Sequence, residues 1–297
     1  MSSFRIGVFA VASTAFLMMF GFLVLRGKQA PDVRREDLRV VTTTPVIYSL
    51  TAKVLGDHGS ITNLVPPGAS PENYALRPRD ASALARADVL VINGLGFEAF
   101  LEDEIREARQ RGVRVVTASD GVPFTGNPPD PHVWVDPVRA ASMVRTIAQD
   151  LAAFDPARAE TYRDNAVTAV RSLLNLDEEF RAQLTPLTEK RFIAFHPAWG
   201  YFAERYGLEQ AAVVEEIPGR EPTAQELAAL ITLVRRTGVR ALMSEPQFSS
   251  KIVEALKRDL GLTVHEVNPE GGELSASGYE NFMRANVATF VRALNGT

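Results

Sequence analysis

The chain contains no cysteine. That excludes disulfides, thiolate metal sites, cysteine nucleophiles and lipid attachment through a thiol. Only four of its 297 residues are histidine, so any metal site must draw on few imidazoles and otherwise on oxygen donors. Charge of one sign is also lacking: 32 basic and 36 acidic residues leave a net of −4. A nucleic-acid binder concentrates basic residues, so no nucleic-acid partner is expected. The phosphate loops GxGxxG and GxxxxGK[ST], the GxSxG nucleophile elbow and the HExxH zinc helix are all missing from the sequence. What remains is ordinary globular composition, which argues against disorder and against a multi-span membrane protein.

One apolar run stands apart. Ile6 to Leu25 is broken only by Gly, Ser and Thr, and is flanked by Arg5, Arg26 and Lys28. About 20 apolar residues can cross a bilayer as a helix. A cleaved signal peptide has a shorter core and a small-x-small site, whereas Lys28 here lies two before Ala30. Residues 1–30 therefore read as a signal peptide or membrane anchor, with the retained anchor preferred. Without its three basic residues, the rest of the chain carries a net charge of −7. An acidic exported domain is compatible with a cationic ligand.

Beyond that segment, short apolar strands alternate with helices, which implies βαβ units and parallel sheets. Strands are expected at 39–47, 60–65, 88–92 and 113–116, and again at 191–195, 211–214, 238–243 and 262–267. Glu98 to Arg111 reads as a charged surface helix, and Asp136-Pro137 opens a long helical stretch. Ala157 to Gln183 runs without Gly or Pro, with Tyr162, Ala166, Ala169, Leu173, Leu176 and Phe180 at helical spacing. That helix would be about 40 Å long. It is either a core helix or a rigid strut between two lobes. Thr223 and Glu226 form a capping box for a later helix. The fold class expected is α/β: two lobes with parallel central sheets joined by a long rigid helix. The divisions are an N-terminal lobe at 38–138, a helical region at 139–185 and a C-terminal lobe at 186–297.

Ligands of open parallel sheets bind outside the carboxyl ends of the strands. Glu72, His132, His196, Glu245 and Asn268 all fall just after strands, drawn from both halves. Each has a plainer reading. His132 could be a hydrogen-bonding loop residue, and His196 a helix N-cap with Pro197 at the first helical position. Glu72 could be a solvated turn residue. Glu245 could orient a neighbour or cap the helix near Ser249, and Asn268 could shape the turn before Pro269. His58 reads as an exposed turn residue and His265 as a structural strand residue. Arg220 beside Glu221 reads as a surface ion pair.

Four segments carry a family resemblance: LVPPGASPENYALRPRDASALARADVLVINGLG (64–96), DPHVWVDP (130–137), FHPAWGYFAERYGL (195–208) and EPQFSSK (245–251). The chain resembles, from about Arg39 to Leu294, the metal-binding proteins that feed zinc and manganese ABC importers. The resemblance implies two α/β lobes joined by a rigid helix, metal capture outside the inner membrane, handover to an ABC permease, and no catalysis. His132 and His196 match metal ligands of the family. Two positions depart from it: Glu72 stands where the family usually has a histidine, and Asn268 where it usually has an aspartate. A His-rich acidic loop, which many zinc-specific members carry, is also absent before His132. Two neutral imidazoles and a carboxylate suit Zn2+, with Mn2+ or Fe2+ as alternatives given further oxygens. Glu245 would be a further ligand or would fix an imidazole from behind. The implied location is periplasmic or extracytoplasmic, with the membrane reached through an uncleaved N-terminal segment. The competing reading is an adhesion or interaction protein on the same fold with weakened metal binding. A metal-dependent hydrolase using Glu245 as base is a distant third.

Overall fold

A computed structural model of the chain describes residues 37–217, 220–246 and 250–295. The Ile6–Leu25 run lies outside the described residues, as do residues 247–249 of the EPQFSSK segment.

The first four strands are β1 (Leu38–Thr42), β2 (Gly59–Asn63), β3 (Val89–Ile92) and β4 (Arg114–Thr117). They form a parallel sheet in the order β2-β1-β3-β4. Helices α1 (Pro45–Leu55), α2 (Pro78–Arg86) and α3 (Glu102–Gln110) connect them. The second sheet repeats this winding. Strands β5 (Arg191–Ala194), β6 (Glu209–Val213), β7 (Ala241–Ser244) and β8 (Thr263–Glu266) lie parallel in the order β6-β5-β7-β8. In each sheet the strand order reverses beside the first strand, which creates a crevice at the carboxyl ends.

Between the sheets run α4 (Pro137–Phe154) and α5 (Ala159–Leu184). Asp136 caps α4 by accepting from the Val138 N–H at 2.8 Å, and Pro137 fills its first position. Helix α5 has 26 residues and buries Tyr162, Ala166, Ala169, Leu173, Leu176, Phe180 and Leu184, a stripe at three- and four-residue spacing. The remaining helices are α6 (Gly200–Tyr206), α7 (Ala224–Thr237), α8 (Ser250–Leu260) and α9 (Gly278–Leu294). One apolar core runs through α4, α5 and α9 and takes residues from both sheets. Two smaller clusters cover the outer faces of the second and first sheets.

Helix α5 is tied to both halves. Asn165 donates to the Val54 carbonyl of α1 at 3.0 Å. Ser172 donates to Glu280 of α9 at 3.0 Å, and the same carboxylate oxygen receives Lys53 of α1 at 2.6 Å. Asp177 holds Arg205 of α6 at 2.6 Å. The long helix is thus both core and strut.

The first strand is shorter than the β-branched run suggests. It ends at Thr42 because the next two threonines turn to polar partners. The Thr43 hydroxyl donates to Glu98 at 2.9 Å, and the Thr44 side chain caps α1. The strand expected from Gly238 starts at Ala241, since Gly238 sits at φ 70° as the left-handed end of α7.

Candidate metal centre

Among the described residues, Glu72, His132 and His196 gather so that one ligand atom from each lies within 4.8 Å of the others. They arrive from three strand-end segments. Glu72 lies in a single 3-10 turn, Pro71–Asn73, beyond β2. His132 lies in the loop beyond β4, just before the 3-10 turn Val133–Val135. His196 follows β5 by two residues. Helix α6 begins only at Gly200, with Trp199 at its N-cap, so His196 is not a helix cap.

The His132 loop is held from three sides. Asn93, at the end of β3, donates to the Pro131 carbonyl at 3.0 Å. Tyr201 of α6 donates its hydroxyl to the Asp130 carbonyl at 2.9 Å. Trp134 donates its indole N–H to the Pro269 carbonyl at 2.8 Å. The two histidine rings then stand edge to face, with centroids 5.3 Å apart.

Each imidazole is fixed through Nδ1 by a carboxylate. Asp130 lies 2.8 Å from Nδ1 of His132, and Glu245 lies 2.5 Å from Nδ1 of His196. This leaves Nε2 as the remaining nitrogen of each ring. A carboxylate behind a histidine sets its tautomer and raises its basicity as a ligand. Nε2 of His132 is buried without a hydrogen-bond partner, 3.9 Å from Oε1 of Glu72. An orphaned buried nitrogen carries a desolvation cost that an electrophilic ligand would remove.

His132 and His196 are almost wholly buried, whereas the Glu72 side chain is 23% exposed. Glu72 is therefore the most solvent-exposed of the three. Burial works to lower the His196 pKa, but the charge and hydrogen bond of Glu245 outweigh it, so the ring holds its proton above the usual histidine range.

Glu245 lies behind His196. The next helix starts at Ser250, and the Glu245 side chain faces the imidazole rather than capping it. Asn268 uses both ends of its amide in its own turn. Its Oδ1 accepts from the Glu270 N–H at 2.9 Å, and its Nδ2 donates to the Gly271 carbonyl at 2.8 Å. The turn requires glycine at 271: φ is 70°, and a Cβ there would meet the Phe282 ring at 2.9 Å. His265 bonds Thr263 at 3.1 Å, and His58 is half-buried rather than exposed. Arg220 pairs with Glu226 at 2.8 Å rather than with Glu221.

Three acidic residues were not singled out by the sequence reading. Asp130 stands two before His132, a spacing that marks it once the histidine is taken as a ligand. Glu98 reads as the start of a surface helix, yet it is buried and accepts from the Asn93 and Gly94 N–H groups and the Thr43 hydroxyl. Glu270 is buried in the loop after β8, and nothing in its local sequence signals that.

Residues 40–293 match the sequence profile of ZnuA, the periplasmic component A of a zinc-uptake complex. The chain belongs to the ZnuA family. This is a family of solute-binding proteins, not of enzymes. The chain is 27% identical over 303 residues to the high-affinity zinc uptake system protein ZnuA of Bacillus subtilis, covering 95% of both. Its fold is similar to that of the SBP FpvC of Pseudomonas aeruginosa in complex with Mn2+, with a TM-score of 0.79 and 30% identity over 87% of this chain and 99% of that one. It is also similar to a mutant of the laminin-binding adhesin of Streptococcus agalactiae, with a TM-score of 0.77 and 26% identity over 86% and 98%. Proteins similar to this chain thus carry different metals and roles in their names, so the choice among them must come from the site.

Proposed function

We propose that the chain captures a divalent transition metal outside the cytoplasmic membrane and delivers it to the permease of an ABC importer. Glu72, His132 and His196 are the ligands; Asp130 and Glu245 hold the two imidazoles in place. The observation that carries this reading is the buried, unpartnered Nε2 of His132 beside Glu72 and His196. Two imidazoles and a carboxylate form a zinc set. Zn2+ is therefore the first choice of cargo and Mn2+ the second; the similar protein of Bacillus subtilis is named for zinc uptake, and FpvC is described in complex with Mn2+. Asn268 is assigned to shaping its turn, not to coordination. The segment Ile6–Leu25 would keep the protein at the membrane, so it should fractionate with membranes and need detergent for release. A mature N-terminus near Ala30 by mass spectrometry would contradict retention but not export.

Calorimetric titration of zinc and manganese into the metal-stripped protein tests the function. We expect tight one-to-one binding that His132→Ala and His196→Ala each abolish while leaving the fold intact. Unchanged zinc affinity in both variants would overturn the assignment. The likeness to an adhesin motivates one further arm. Binding to laminin that is indifferent to both histidine variants, in a protein that takes up no metal, would favour adhesion over transport.

A further inference from the structure

We propose that the face on which α4 and α5 meet is a membrane-contact surface, seated on the anionic headgroups of a lipid bilayer; this rests on the retention of Ile6–Leu25 proposed above. The two helices leave a groove of about 470 Å3 along their outer side. Its lining is apolar where the helices approach: Ala148 and Ala152 from α4, and Ala166, Val167 and Val170 from α5. Val167 is 60% exposed, and Phe154, at the end of α4, is 38% exposed. Apolar side chains grouped in water and rimmed by charge mark a contact surface.

The charge at the groove has one sign. Arg145 and Arg163 line it, and no acidic side chain does. Both arginines are exposed, and among the described residues no carboxylate pairs with either. Asp150, the acidic residue of α4, is paired with Arg114. On α5, Arg163, Val167, Val170 and the partly exposed Leu174 recur at three- and four-residue spacing, so they share one edge of the helix. Arginine lays its stem on apolar surface while its guanidinium reaches a phosphate. A basic and apolar helical face of this kind seats at the boundary between headgroups and acyl chains.

The place where the chain enters the fold favours a bilayer over other occupants. The apolar run ends at Leu25, and the eleven residues from Arg26 to Glu36 reach at most about 40 Å. The fold begins at the amino end of β1, where Leu38 is in register with Gly59, just past α1. Asn165 of α5 bonds the Val54 carbonyl in the last turn of α1. Arg163 and Val167 therefore lie at the end of the fold where the tether attaches. The metal centre lies at the opposite end, beyond the carboxyl ends of β2, β4 and β5. A tethered patch meets the bilayer at high effective concentration, and a basic patch is enough as a second signal beside one anchor. Docked in this way, the domain keeps its metal opening clear of lipid.

The absence of cysteine allows a single dye to report on this face. The full chain carrying Val167→Cys is labelled with an environment-sensitive fluorophore, reconstituted into vesicles and exposed to an aqueous quencher; Leu274→Cys, in the loop after β8, is the reference. We expect the Val167 position to be shielded in vesicles containing phosphatidylglycerol and open in pure phosphatidylcholine, and the Leu274 position to be open in both. Combining Arg145→Glu with Arg163→Glu should lower the ratio of docked to free domain at least about tenfold, as should about 1 M salt, with zinc affinity unchanged. Equal quenching at Val167 in both lipids, or shielding that survives the double reversal, overturns the proposal while retention stands. Shielding that follows protein density in phosphatidylcholine and ignores salt identifies a second copy as the occupant and overturns it too. A chain that does not float with vesicles overturns retention and this surface with it.

Discussion

At the scale of single residues, the centre is built as two layers: Glu72 and the two imidazoles, which gather together, and Asp130 and Glu245, which hold the imidazoles through Nδ1. Glu245 matters through His196. Replacing it by Gln keeps a hydrogen-bond acceptor but removes the charge, and should weaken zinc binding by about 10–100-fold. The same change alters the pH dependence. Zinc takes the neutral imidazole, so protons compete with it. Because Glu245 raises His196 above the ordinary value of about 6.5, competition begins above that pH. Zinc affinity should climb as pH rises through neutrality and level off only beyond the raised value. The sign for the metal-free protein is opposite: the imidazolium of His196 contributes stability below about pH 6.5 for as long as Glu245, whose carboxyl burial pushes above its usual range, stays ionised, and that contribution is lost as pH rises through the folded value of His196. Titrations at several pH values should show the affinity profile of Glu245→Gln displaced to lower pH. A profile that does not move would separate Glu245 from the imidazole. Asn268→Asp is informative at this scale too. The family resemblance alone would have it restore a ligand and tighten binding. In the structure it sets a carboxylate oxygen where an amide now donates to the Gly271 carbonyl, so calorimetry should show no gain in zinc affinity.

At the scale of elements, helix α5 is the piece on which both halves depend. Ala169 lies on its buried stripe, and Ala169→Pro should cost about 3 kcal/mol or more by removing a helical hydrogen bond and clashing with the preceding turn. Lys53→Met leaves Glu280 buried without its ammonium partner and should cost about 3–5 kcal/mol, read by urea denaturation. A loss under 1 kcal/mol in either variant would mean that the strut is not a main support. Much at this scale was legible in advance. The Asp136-Pro137 start and the Thr223/Glu226 box appear as read, and the run at 157–183 is a helix that begins at Ala159 after a 3-10 turn at Pro156–Arg158, because each rests on local periodicity or local capping chemistry. The misreadings share a cause. Thr43, Thr44 and Glu98 were read from local propensity, and in each case a partner distant in sequence, or a cap, redirected the side chain. At the site, the two histidines and Glu72 could be found from motif and strand-end position. The buried state of Glu270 could not, since burial of a lone carboxylate is a property of the assembled loops.

At the scale of the whole molecule, two repeats of one winding place their crevices so that loops from both contribute donors. Direct bonds join the halves: Tyr201 to Asp130, Trp134 to Pro269, and Tyr279 to the Trp134 carbonyl at 2.6 Å. With these and a shared core, metal binding should draw in side chains rather than swing the lobes. Small-angle scattering of metal-free and zinc-loaded protein should give nearly superimposable profiles, and a large change in radius of gyration would refute a rigid strut. The account as a whole rests on where the ion sits. An anomalous difference map from zinc-loaded crystals tests that most directly. The account predicts one peak at about 2.0–2.2 Å from Nε2 of His132, Nε2 of His196 and an oxygen of Glu72, the distances zinc keeps to such donors. A zinc peak elsewhere, with none of those three side chains in contact with it, would contradict it.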